Sequence, residues 1–269
     1  MAKYKKKRAR ELQHDRFRDT AMTLFDRFGD RLEGRGKVIL YGLGGIVVIA
    51  VISLFFVRWN HRKTEEARQA LGRAITIATA PISPVGSPNA TGPSFPSEQA
   101  RAQQAIQEFQ KVAAKYGEPY HSDARYLAAT FLLSTDRNKA ISELTELSKG
   151  SNPDVPTLAK FALAQANEAD AKYDEAARLY RELASSGSRV VTPETANLRL
   201  ALVYAKQGKK KEASDLLFNI VDASRKAKGA DDTPVPPSAA ASDAAKELQK
   251  LDPDRYAQLP PETSPVGFG

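Results

Sequence analysis

Residues 200–220 read LALVYAKQGKKKEASDLLFNI. Ala201 follows Leu200, and Ala213 lies twelve residues further on, with Gly208 between them. Tyr204 stands in the first half, and Leu217 and Ile220 in the second. Apolar residues three and four apart gather on one face of a helix. Gly208 breaks the run where a turn belongs. The stretch predicts two short antiparallel helices that approach closely where each carries an alanine. The same order recurs upstream. Ala105, Phe109, Val112; Ala140, Leu144, Leu147; and Ala176, Tyr180, Leu183 repeat Ala213, Leu217, Ile220, with the alanines 35, 36 and 37 residues apart. Ala128 and Ala164 precede the second helices by the same twelve residues as Ala201, and follow Leu127 and Leu163. Turns are expected near Asp136 to Asn138, Ala171 to Tyr173 and Gly208 to Lys210. One hairpin cannot bury its apolar stripe alone, so the units must stack.

These residues resemble the tetratricopeptide repeat, which places Leu-Gly-x-x-Tyr in its first helix and Ala-x-x-x-Phe-x-x-Ala in its second. Leu200, Ala201, Tyr204, Gly208, Ala213 and Leu217 follow that pattern, as do Leu163, Ala164, Tyr173, Ala176 and Tyr180. No Trp occupies the first landmark, and the units run long. The first unit is interrupted. Leu71, Gly72 and Ile75 fit a first helix, but Gly72 lies 33 residues before Ala105 instead of twelve. The surplus is filled by an insert, 81–97, containing Pro81, Pro84, Pro88, Pro93 and Pro96 with Gly86 and Gly92. Proline removes backbone donors and clashes with helix, so a loop is expected.

Upstream stands VILYGLGGIVVIAVISLFFV, residues 38–57, without a charged side chain. Twenty helical residues rise about 30 Å, the thickness of a bilayer's hydrocarbon core. Lys37 and Arg58 bracket the stretch, and Tyr41 and Trp59 sit where amphipathic rings favour the headgroup level. A cleaved signal peptide would have a shorter apolar region nearer Met1, followed by small residues. Here Phe55, Phe56, Val57, Arg58 and Trp59 stand at that end. Residues 38–59 therefore read as a transmembrane helix. Residues 1–37 hold 12 Lys/Arg against 6 Asp/Glu, so they carry most of the chain's net charge of +8. The cluster from Lys3 to Arg10 marks a cytoplasmic side, although the twenty residues flanking each end of the apolar stretch hold five cations apiece. Phe17, Ala21, Leu24, Phe25, Phe28 and Leu32 give the tail an amphipathic helix suited to a membrane interface or a partner.

The chain has no cysteine, which excludes disulfides, thiolate zinc sites and thiol nucleophiles. His14, His61 and His121 are its three histidines, and no HExxH, EF-hand loop or GxSxG occurs. Gly34-Arg35-Gly36-Lys37 lacks the remaining landmarks of a phosphate loop. The expectation is a non-enzyme without cofactor or metal. The basic leader has only Tyr4 interleaved for base stacking, which disfavours nucleic acid as a partner.

A basic tail, one anchor and a tetratricopeptide-like domain in that order resemble the YfgM-like family of ancillary SecYEG translocon subunits. The resemblance covers roughly Lys37 to Ala223. It implies location in a bacterial inner membrane, with the N-terminus cytoplasmic and the repeat domain periplasmic. It also implies protein partners: translocon subunits, exported chains or periplasmic chaperones. Membrane lipid would be met by the anchor and basic tail. The proline insert and the amphipathic tail helix are not carried over from that family.

The expected fold is all-α, a single N-terminal transmembrane helix followed by a tetratricopeptide-like helical-hairpin solenoid. Its parts are the tail 1–37, the anchor 38–59, the repeat domain 60–223 and a C-terminal region 224–269. In the last, Ala240, Ala244, Leu248 and Leu251 form a short helix capping the final repeat, with disorder expected from Pro260 to Gly269. In tetratricopeptide arrays ligands lie in a concave groove lined by first helices. By repeat position that groove would hold Arg125, Leu132, Phe161, Gln165, Glu168, Leu198, Leu202 and Lys206, and would bind an extended peptide or partner helix. The alternative to such an adaptor is a homo-oligomeric scaffold of the cell envelope, built on the tail helix and the glycines of the anchor.

Overall fold

The computed structural model describes residues 63–83, 92–229 and 232–262. The basic tail, the anchor and the centre of the proline insert lie outside the described residues. No helix among the described residues is long and apolar enough to cross a membrane.

The described chain is helical throughout, without a strand. A first helix, α1 (63–78), is followed by α2 (Glu98–Lys115), α3 (Tyr120–Thr135), α4 (Arg137–Leu147), α5 (Val155–Ala169) and α6 (Tyr173–Ser185). Then come α7 (Pro193–Lys206), α8 (Lys210–Lys226), α9 (Ala239–Leu251) and the single turn α10 (Pro253–Tyr256). From α2 onward each helix packs on its neighbours in the chain, and contacts also run from α3 to α5 and from α7 to α9. The result is a repeat-like zigzag of helical hairpins.

The alanine spacing explains this order. Ala105, Ala140, Ala176 and Ala213 are all fully buried, and so are Ala164 and Ala201. Their large partners Phe109, Leu144, Tyr180 and Leu217, and Val112, Leu147, Leu183 and Ile220 a turn later, are at most 7% exposed. A side chain no larger than a methyl lets two helix backbones come together, and the large residue beside it fills the adjoining space. The core is consequently a row of clusters. One joins Ala74 and Ala78 of α1 to Phe109 of α2 and Ala124 and Ala128 of α3. The largest runs from α3 to α7, and a third joins α7, α8 and α9.

Turn chemistry sets the ends. Asp136 alone separates α3 from α4, and its carboxylate accepts from the Lys139 backbone N–H at 3.1 Å. The two later hairpins use longer links, each with one left-handed residue: Ala171 at φ 56° and Gly208 at φ 76°. Ser97, Thr192 and Ser238 cap α2, α7 and α9 through their hydroxyls.

Two expectations change. Leu71, Gly72 and Ile75 do lie in α1, but Gly72 and Ile75 are exposed and Leu71 is only half-buried; Ala74 and Ala78, along with Ala67, supply the buried contacts. The small residue at the first crossing is thus alanine, two positions beyond Gly72. Pro260, at the start of the expected disordered tail, is held: its carbonyl accepts from the Arg225 guanidinium, and the preceding Leu259 is buried in the last cluster, while residues 263–269 of that tail lie outside the described residues. The insert's two ends are tied together. The Ser83 N–H donates to the Phe95 carbonyl at 3.0 Å, and the Phe95 N–H to the Pro81 carbonyl at 3.1 Å.

Candidate interaction surface

The eight groove residues come from three first helices, and the structure sends them to different surroundings. Arg125 of α3 reaches sideways to α4, donating to Glu143 at 2.8 Å and Glu146 at 2.9 Å. With Leu132 it lines a cleft of 130 Å³ between α2, α3 and α4. Leu132 itself is buried against Ile106 and Ala140. Leu198 is buried and Leu202 half-buried, both in the cluster that α9 completes. These leucines are core, because the helix after the last hairpin covers them.

Phe161, Glu168 and Lys206 do come together, around a charged cluster. Glu168 on α5 is only 7% exposed. One of its oxygens accepts from the Tyr180 hydroxyl of α6 at 3.0 Å and from Arg199 of α7 at 2.7 Å. The other accepts from Lys206 of α7 at 2.8 Å. The Tyr180 ring also meets Phe161 edge-on at 5.8 Å. Gln165, one turn before Glu168, is exposed.

The electrostatics arise from this packing. Burial pushes the Glu168 carboxyl up, but the hydrogen bond from Lys206, the Arg199 charge and the Tyr180 hydroxyl outweigh it and hold the group below the usual carboxylate range. Burial pushes the Tyr180 hydroxyl up to about 12, so it stays a neutral donor. Two cations over one carboxylate leave a net positive charge, and Arg199 and Lys206 are 31% and 49% exposed. The arrangement fastens unit to unit and presents a basic, partly aromatic surface. It offers no nucleophile with an adjacent base. Among the described residues no group of three His, Cys, Asp or Glu could hold a metal ion.

Repeat position alone did not single out Arg199 and Tyr180 as partners of Glu168. A carboxylate inside an otherwise apolar helix face was the available signal, since such a charge needs a partner when buried. No protein-family model, curated protein or solved structure matches this chain.

Proposed function

We propose that this chain is a membrane-anchored, tetratricopeptide-like adaptor that binds proteins or peptides at the bacterial protein-export site. The observation that supports the reading is the order of parts: a basic tail, twenty uncharged residues, and then a row of helical hairpins with alanine crossings. In this reading the anchor confines the hairpin array to the inner membrane beside the Sec translocon, with the array in the periplasm. Tethering raises the effective concentration of the array near emerging chains, so individually weak contacts suffice. The contact surface is centred on Gln165, Phe161 and the outward sides of Arg199 and Lys206, a basic and aromatic surface suited to acidic or amphipathic segments.

A photo-crosslinking residue at Gln165 tests this in intact membranes. Gln165 is exposed, whereas Leu202 is half covered by α9. Adducts with translocon subunits or exported chains are the expected result. Adducts with further copies of the chain alone would replace the adaptor with a homo-oligomeric scaffold. A membrane without adducts would remove this surface from consideration as the binding face.

A further inference from the structure

A second concavity lies at the opposite end of the array from the insert. It encloses 230 Å³ between α8, α9, α10 and the linker that precedes α9. Its apolar wall is made by Val221, Val235, Pro237, Ala241 and Ala245, with Tyr256 beside them. Val235 is 45% exposed, one of four large hydrophobic side chains so exposed among the described residues. The chain itself leads into this place. Arg225, which lines the cleft, donates to the Pro260 carbonyl and, at 3.2 Å, to the Tyr256 hydroxyl, so residues 256 and 260 are held beside it. Glu262, the last described residue, stands on its rim.

We infer that the cleft is a docking site for the chain's own residues 263–269, Thr-Ser-Pro-Val-Gly-Phe-Gly, with Phe268 and Val266 entering it. Three observations point to this occupant. The segment carries no charged side chain, unlike residues 252–262, which hold Asp252, Asp254, Arg255 and Glu262. Entry of Val266 and Phe268 therefore brings no charged side chain into the cleft, whose own charges, Arg225, Lys246 and Glu262, belong to its lining. The reach is ample: six extended residues span about 20 Å, and they start from a residue already on the rim. The volume fits, since a cavity of about 150 Å³ takes a benzene ring, and 230 Å³ takes the Phe268 ring with room for a smaller side chain. A tethered ligand also meets the cleft at a high effective concentration, so a modest apolar contact is enough to hold it. Docked in this way, the segment covers Val235 and closes the apolar end of the array.

The absence of cysteine from the chain gives a clean test. Ala245→Cys places a thiol in the cleft, and Gly267→Cys places one between Val266 and Phe268 without altering either. The control pairs Gly267→Cys with Asp243→Cys, which is exposed on the same helix. In the full chain the cleft pair should close an intramolecular disulfide about tenfold faster than the control pair, as expected for an effective concentration raised by docking. Equal rates would overturn the inference. A disulfide between two chains would overturn it too, by assigning the cleft to a second copy. In the Ala245→Cys chain, Val266→Ser with Phe268→Ser should raise the alkylation rate of the thiol at position 245. No change in that rate would show that the segment does not cover the cleft.

Discussion

Replacing Glu168 by Gln keeps the shape of the side chain and removes its charge. Arg199 and Lys206 then lose their shared counter-ion, and the Tyr180 hydroxyl loses an ionised acceptor. Removing one partner of a buried ion pair costs about 3–5 kcal/mol. Here the cations are 31% and 49% exposed, so water takes over part of the carboxylate's role. A loss of about 2 kcal/mol at pH 7 is the expected result. Urea unfolding of the full chain, monitored by circular dichroism, measures it as a lower midpoint at unchanged slope. The pH dependence separates charge from packing. The carboxyl titrates below its ordinary value of 4.5 in the folded chain. Between the folded and ordinary values the unfolded chain binds more protons, so stability rises with pH through that window. The contribution of Glu168 is complete above 4.5 and is lost as pH falls through the folded value. The stability gap between the native chain and Glu168→Gln should thus be constant from about pH 5 to 7 and narrow progressively as pH falls below the ordinary value of 4.5 and through the folded one. A gap that stays open at low pH would refute the electrostatic account. So would a gap below about 0.5 kcal/mol at pH 7, the range of ordinary surface substitutions.

Ala164→Leu forces a large side chain into a fully buried crossing and should cost about 1–3 kcal/mol in the same unfolding measurement. Ala171→Gly relieves a left-handed alanine and should raise stability by about 0.5–1 kcal/mol, whereas Gly208→Ala, at the corresponding turn, should lower it by a similar amount or more. Leu248 of α9 is fully buried, and Leu248→Ala should cost about 2–5 kcal/mol. Because hairpins contact mainly their neighbours, hydrogen exchange should show the lost protection in α7, α8 and α9 while α2 and α3 keep theirs.

The hairpin array was legible because it rests on a local rule. Alanine is required wherever two helix backbones nearly touch, and the chain repeats that requirement every 35 to 37 residues. The turns were legible for the same reason, since Asp136, Ala171 and Gly208 fall where the small-residue spacing leaves no helix to continue. The first unit was read less accurately. Gly72 matched the pattern best as a letter, but helix α1 turns Ala74 and Ala78 to α2 and α3 and leaves Gly72 in open space. With the insert separating α1 from α2, no fixed spacing remained to choose between those small residues.

The groove was harder to read, because the face a hairpin leaves open depends on the next element of the chain. Leu198 and Leu202 occupy positions that line a groove only if another hairpin continues the curve. Helix α9 carries no repeat landmarks, but its Ala241, Ala244 and Leu248 are nearly or fully buried against α7 and α8, where a next first helix would stand. It converts Leu198 and Leu202 from lining into core. Glu168 has the opposite history. Its place on a largely apolar helix face marks it as a charge in need of partners, but those partners, Arg199 and Lys206, lie 31 and 38 residues later in the next unit and make a buried carboxylate stable. A pattern confined to one unit contains neither partner. Gln165, one turn before Glu168 on the same helix, stays exposed beside this cluster. That is the physical ground for placing the cross-linking probe there.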